Sequence, residues 1–163
     1  MPGAPHLSDD LKELIKLLTS HGVEFLVVGG HAVAYHGRPR FTEDLDLFLR
    51  RSNENARRTR LALNEFGFGL TEEAEQQLAE SPRAMMILGR KPNQVDLINF
   101  LDGVEFDAAW SRRIKANLGD LEVSFLALED LVATKRAAGR AKDIDDLNRL
   151  REIVGGPLPG DPS

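Results

Sequence analysis

Asp44 and Asp46, set one residue apart in Asp44-Leu45-Asp46-Leu47, are the side chains best suited to chemistry. In an extended strand residues two apart point to the same side and rise about 3.3 Å each, so these carboxylates stand roughly 7 Å apart along the chain. Side chains so placed can converge on a pair of hard cations. Two-metal phosphoryl-transfer sites hold their ions about 3.5 to 4 Å apart, and Mg²⁺ prefers carboxylate oxygens plus substrate phosphates. Upstream, separated from Asp44 by residues 31–43, lies Gly29-Gly30. Glycines let a backbone approach a triphosphate closely, and a helix beginning near His31 aims its free N–H groups and positive dipole end at the anion. A strand-Gly-Gly-helix junction is equally consistent with plain turn chemistry. Asp96 is the third acid, interrupting the apolar run Gln94-Val95-Asp96-Leu97-Ile98. A neighbouring strand could bring it beside Asp44 and Asp46, where three crowded carboxylates would resist ionisation unless cations balanced them. The alternative is that all three acids are the solvated faces of half-buried strands.

The elements that must position these groups are legible in the periodicity. Ser8 with Asp9 and Asp10 forms an N-cap and acidic first turn, after which Leu11, Leu14, Ile15, Leu17 and Leu18 recur at helical spacing until Gly22. Glu24 to Val28 reads as a buried strand turning at Gly29-Gly30 into a helix over His31 to His36. Leu45, Leu47 and Leu49 alternate with Asp44, Asp46 and Phe48, which predicts a strand with a core face and an acid-bearing face. Ser52 and Thr71 cap helices reaching about Glu65 and Glu80. Ala84 to Leu88 and Gln94 to Phe100 form an antiparallel hairpin around Gly89-Arg90-Lys91-Pro92-Asn93. A helix containing Trp110 and Ile114, a strand over Leu121 to Leu126, and helices over Leu128 to Ala138 and Ala141 to Ile153 follow. The Gly- and Pro-rich stretch 155–163 reads as a loose tail after a single domain over 1–154.

With 163 residues and 42% hydrophobic content, the chain has enough material for one domain with a substantial core. The net charge of -5 provides no global attraction for nucleic acid, so any such contact needs a local basic patch. Arg50, Arg51, Arg57, Arg58 and Arg60 form one, which either meets an RNA backbone or is a solvated helix face. The absence of cysteine excludes disulfides, thiolate metal sites and Cys nucleophiles. No secretory signal is expected at Met1 to Asp10, and no apolar run approaches the roughly 20 residues of a membrane helix. A cytoplasmic protein without membrane contacts is the expectation. No Walker, dinucleotide-binding, zinc-helix or nucleophile-elbow motif occurs. His31 and His36 are five apart on their helix and do not share a face; the histidines read as capping or surface residues. Trp110 reads as core.

Val28-Gly29-Gly30 followed by Asp44-Leu45-Asp46-Leu47 resembles the signature of the DNA polymerase β-like nucleotidyltransferase superfamily. Arg38-Pro39-Arg40-Phe41-Thr42-Glu43 before the acids, and Leu128-Glu129-Asp130-Leu131 with Lys135, Arg140, Lys142-Asp143 and Asp146, resemble the small bacterial AbiEii-like branch. The resemblance spans about residues 24 to 150. It implies an α+β (mixed α/β) domain with a sheet of about 4–5 strands flanked by helices. It further implies that Asp44 and Asp46 bind two Mg²⁺ ions (or Mn²⁺) and a nucleoside triphosphate, with Asp96 completing the catalytic metal site. An acceptor hydroxyl would attack the α-phosphate in line as pyrophosphate leaves. Lys135 and Arg140, with Lys142 behind them, are the candidates for the β and γ phosphates, or else a basic solvated face. Arg40 and Thr42 either contact phosphate or brace the loop. Asp143 and Asp146, three apart on one helix, either orient Lys135 or Arg140 by ion pairing or form a surface pair.

Three functions compete. The first is transfer of a nucleoside monophosphate to a hydroxyl acceptor on tRNA or protein, as a toxin-antitoxin component. The second is a nucleotidyltransferase-like binding module, the partner or antitoxin of a cognate protein, with little turnover. The third is nucleotidylation of a small molecule such as an antibiotic, disfavoured because His31-Ala32 follows the glycines where that branch commonly has an aromatic.

Overall fold

The computed structural model describes residues 7–37 and 44–162. Helix α1 (Asp9–Ser20) leads to strand β1 (Phe25–Val28), α2 (Gly29–Tyr35), β2 (Asp44–Leu49), α3 (Asn53–Phe66) and α4 (Glu72–Glu80). The hairpin β3 (Met85–Leu88) and β4 (Gln94–Ile98), α5 (Phe106–Arg112), the hairpin β5 (Ile114–Leu118) and β6 (Leu121–Phe125), and α6 (Leu128–Ala138) and α7 (Ala141–Val154) complete the order. The predicted caps form: the hydroxyls of Ser8, Ser52 and Thr71 accept from the backbone N–H groups of Leu11, Asn55 and Ala74, satisfying donors that a helix start leaves open.

The strands form one mixed sheet in the order β3-β4-β2-β1-β6-β5. β1 is antiparallel to β2 and parallel to β6, and β2 is parallel to β4. Period-two alternation divides the core in two. Phe25, Val27, Leu45, Leu47, Leu49, Val95 and Leu97 face one side, where they pack with Leu14, Ile15 and Leu18 of α1 and Ala62 and Leu63 of α3. Leu26, Val28 and Phe48 face the other, under Ala32 and Val33 of α2, Leu131 and Val132 of α6 and Leu147 and Leu150 of α7. The acids of β2 share this second face with Phe48, because they alternate with the leucines.

The mixed α+β architecture matches the expectation, with corrections of detail. Ile114 is not helical. The backbone N–H of Arg113 bonds the Trp110 carbonyl as α5 ends, and Gly119, at φ 65, turns the chain so that Leu118 pairs with Leu121. Ile114–Leu118 thereby becomes a sixth strand. The glycine at the head of the turn supplies the positive φ that tight hairpins require. Helix α2 begins at Gly29, two residues earlier than its composition suggests. The segment read as a loose tail is tied back: Leu158 is buried in the second core cluster, and Asp161 accepts hydrogen bonds from Arg151 and Arg136. No helix among the described residues is long and apolar enough to cross a membrane.

Candidate active site

The register of the parallel pair β2 and β4 sets Asp46 directly opposite Asp96, and Asp44 opposite Gln94. On the other flank of β2, the antiparallel register sets Asp46 beside Val28, the last residue of β1. The chain then turns at Gly29, whose φ of 65 lies where L side chains are strained. A Cβ at this position would overlap the Asp46 carboxylate. Glycine is therefore required by both the backbone and the acid behind it. Val28 gives the N-terminus of α2 no side-chain cap, so the first amides of that helix keep their capacity to donate to an anion.

The three acids form an electrostatically loaded set. Burial first, then a hydrogen bond with Asp96 and the charges of Asp96 and Asp44, push the Asp46 carboxyl up to about 7, with Lys142 only partly opposing them. The side-chain amide of Gln94 donates to Asp96 Oδ1 at 2.9 Å and so orients the third acid. Among the described residues no three His, Cys, Asp or Glu side chains close around a single point. What suits the site to a hard divalent cation is its donor chemistry. The donors are carboxylate oxygens, crowded enough to hold a proton between two of them, beside a glycine whose missing side chain makes room for the Asp46 carboxylate.

Cations reach the same cleft from α6 and α7. Gly139, at φ 62, ends α6 and allows α7 to fold back, which brings Lys135 against Asp143 and Asp146. Lys135 Nζ lies 3.4 Å from Asp143 Oδ1 and 3.0 Å from Asp146 Oδ2. Both carboxylates are buried, as is Lys135. The Arg140 guanidinium donates to both oxygens of Asp143, at 2.7 and 3.2 Å, and its backbone N–H donates as well. Burial alone would raise the Asp143 carboxyl, but these hydrogen bonds and the charge of Lys135 outweigh it and hold the group below the usual range. The two acids are thus a buried anchor for the cations and not a surface pair.

Gly29, Gly30, Asp44, Asp46, Asp96, Lys135, Arg140 and Lys142 all border one cleft of about 600 Å³. Arg40 and Thr42 lie outside the described residues. The same cleft is bordered by Arg83, Met85, Ile98, Phe100 and Asp102, none of which sequence reasoning singled out. Arg83 lies 4.1 Å over the Phe100 ring and pairs with Asp102 at 3.0 Å. Arg83 and Asp102 belong to no motif. His31 is buried rather than superficial, and burial lowers its pKa to about 4, leaving a neutral imidazole behind the glycine turn. His36 does cap α2, and its ring meets the Leu126 carbonyl at 2.6 Å. In the arginine cluster at the end of β2 and on α3, Arg57 and Arg58 pair with Glu54, Arg60 with Glu75, and Arg50 with Glu24 and Asp107, while Arg51 is exposed and donates to the Ser81 carbonyl at 3.5 Å.

The family model described as "Nucleotidyl transferase of unknown function (DUF2204)" matches residues 7–157, and the chain belongs to this family. No curated protein matches it. Among solved structures it is similar to a candidate nucleotidyltransferase from Thermotoga maritima, at 16% identity and a TM-score of 0.53, with 89% of this chain and 90% of that one covered. An antigenic nucleotidyltransferase-like protein from Paracoccidioides brasiliensis aligns over 94% of this chain and 78% of its own at 18% identity and a TM-score of 0.48. At such identity the likeness to the Thermotoga protein is one of fold.

Proposed function

We propose that this nucleotidyltransferase-family chain moves a nucleoside monophosphate from a nucleoside triphosphate to a hydroxyl acceptor, with Asp44, Asp46 and Asp96 as its divalent-metal ligands. The observation that carries this reading is the strand register: Asp46 faces Asp96 across β2 and β4 while Gly29, at the start of α2, lies against Asp46 on the other flank. Bound Mg²⁺ or Mn²⁺ would neutralise the carboxylates and polarise the α-phosphate. The Gly29-Gly30 turn and the first amides of α2 receive the β and γ phosphates, and Lys135, Arg140 and Lys142 balance their charge. Arg40 and Thr42, just before the acids in sequence, belong to the same phosphate group. Asp96, the acid nearest the β3 side of the sheet, accepts the proton of the acceptor hydroxyl as its oxygen attacks phosphorus and pyrophosphate departs. The acceptor hydroxyl is carried by tRNA or protein, and a toxin-antitoxin pairing is the biological setting we favour.

A second reading, a nucleotide-binding module with little turnover, draws on Lys135: its charge is already neutralised by Asp143 and Asp146. Incubation with Mg²⁺ and α-labelled nucleoside triphosphates separates the two. Transfer of label to RNA or protein, abolished by Asp44→Asn and by Asp46→Asn, supports the enzyme. Saturable triphosphate binding without transfer supports the module. Equal transfer by the two variants and the unaltered protein would overturn the assignment of the acids.

A further inference from the structure

The two edges of the sheet differ in how they meet solvent. β5, at one edge, exposes Lys115 and Asn117, polar side chains of the kind that discourage further strand pairing. β3, at the other edge, is Met85-Met86-Ile87-Leu88 and carries no polar residue. Met86 and Leu88 pack against the first core cluster, while Met85 and Ile87, on the opposite face, are 55% and 59% exposed. Among the described residues, no strand pairs with the outer side of β3, and no backbone bond outside the β3–β4 ladder involves 85–88. The register places Ile87 beside Asp96 and Met85 beside Ile98, so this apolar strip continues the acid-bearing face to the rim of the sheet.

We propose that β3 is a docking edge on which an extended, apolar segment of another protein, flanked by acidic residues, adds as a seventh strand. Strand addition satisfies the open backbone groups of an edge through main-chain hydrogen bonds, while alternate side chains supply specificity. The flanks of β3 choose the occupant. Arg83 precedes the strand, and Arg90 and Lys91 follow it in the hairpin turn, all three exposed. A second copy of this chain pairing antiparallel through β3 would set Arg83 against Arg90 and Lys91, and a parallel pairing would set each basic end on its own kind. Self-association is therefore opposed by like charge at both ends, whereas glutamates or aspartates at the ends of a foreign strand meet opposite charge. A nucleic acid is a poorer fit, because the strip itself presents the apolar side chains of Met85 and Ile87. The docked segment would lie about 4.8 Å beyond β3, bordering the candidate active site from the Asp96 side. The proposal rests on the sheet edge and its flanking charges, so it holds whether or not the cleft turns over nucleotide.

The test is binding, read without any turnover. A fluorescein-labelled peptide Glu-Glu-Val-Thr-Val-Thr-Glu-Glu, titrated against the whole chain and followed by anisotropy, is expected to bind at least about tenfold more tightly than its lysine-flanked counterpart. Amide hydrogen exchange at 85–88 is expected to slow on binding. Ile87→Lys, at an exposed position and checked for an unchanged circular dichroism spectrum, is expected to abolish binding. The double substitution Arg90→Glu with Lys91→Glu is expected to narrow or reverse the preference between the peptides. Any of four results overturns the proposal: neither peptide binds; both bind equally; Ile87→Lys binds as the parent does; or the parent sediments as a dimer that Ile87→Lys dissociates, which makes a second copy the occupant. An RNA oligomer that binds the parent and is lost in Ile87→Lys would likewise overturn it, in favour of nucleic acid.

Discussion

Replacing Asp46 with asparagine should stabilise the metal-free protein at high pH while removing its activity. Folded Asp46 holds a proton until about pH 7, whereas the unfolded chain releases it near the ordinary aspartate value of 3.8. Between those values the native state binds more protons than the unfolded state, so stability falls as pH rises through the window and levels off above it. Each pH unit of displacement is worth about 1.4 kcal/mol, which for this carboxyl makes roughly 2 to 4 kcal/mol at pH 8.5. Asparagine keeps the shape and a hydrogen-bond donor toward Asp96 but never ionises. In EDTA, Asp46→Asn should match the parent near pH 4.5 and exceed it by that 2 to 4 kcal/mol at pH 8.5, a rise in Tm of about 5 to 15 °C. Urea and thermal unfolding across this pH range measure it directly. Addition of Mg²⁺ at pH 8.5 should stabilise the parent more than the variant, since a ligand that binds only the native state adds to its stability by mass action. Nucleotide transfer should fall at least about 100-fold. A variant no more stable than the parent at pH 8.5 would refute the crowding of the three acids, and a parent indifferent to Mg²⁺ would refute their role as ligands.

Gly29→Ala should lose roughly 1 to 3 kcal/mol and most of its transfer activity, because the left-handed backbone and the overlap with Asp46 act together. Gly67→Ala, at φ 116 with nothing within reach of a Cβ, is the control: thermal melts should show a loss of stability with labelling preserved, and equal loss of labelling in both variants would refute the contact argument. Lys135→Met removes the cation that the buried Asp143 and Asp146 share and should cost about 3 to 5 kcal/mol by urea unfolding. Asp143 is held below the ordinary carboxylate range, so its contribution to stability is present above about pH 4 and is lost as pH falls; Asp143→Asn should flatten that acid limb. Lys142→Ala, at an exposed position whose charge is felt at Asp46, should change stability by less than about 0.5 kcal/mol yet raise the KM for the triphosphate, and an unchanged KM would remove Lys142 from the phosphate group.

The parts of this molecule that sequence reasoning reached are those governed by local rules. Ser8, Ser52 and Thr71 announce their helices because a cap is a contact between residues three apart. The alternation of Leu45, Leu47 and Leu49 with the acids separates core from site because strand side chains have a period of two. Asp96 stands out for a similar local reason, a charge inside an apolar strand, but only the parallel pairing of β2 with β4 sets it opposite Asp46, and a parallel partner is fixed by crossovers that no short motif encodes. The same gap hid β5, whose five residues are specified by the hairpin with β6 rather than by their own composition.

Asp143 and Asp146 show how tertiary structure reverses a local expectation. Two acids three apart on a charged helix read as surface, since ionised side chains are seldom fully buried without partners. Here the partner is supplied by the fold: Gly139 reverses the chain between α6 and α7, and Lys135 then meets both carboxylates from the facing helix. Removing the cation from such a cluster is costly, whereas its net contribution to stability is small, so stability alone gives little reason to bury three charges at the wall of a cleft. Position is the better account. Lys135 can meet a phosphate only if its ammonium is held at the cleft, and a flexible four-carbon stem is held there by anchors on the far side. Arg140 is fixed by the same Asp143, so one buried carboxylate sets the direction of two cations. The prediction that follows is specific: Asp143→Asn should loosen both and raise the KM for triphosphate more than Lys142→Ala does, although Asp143 itself is fully buried and Lys142 is exposed.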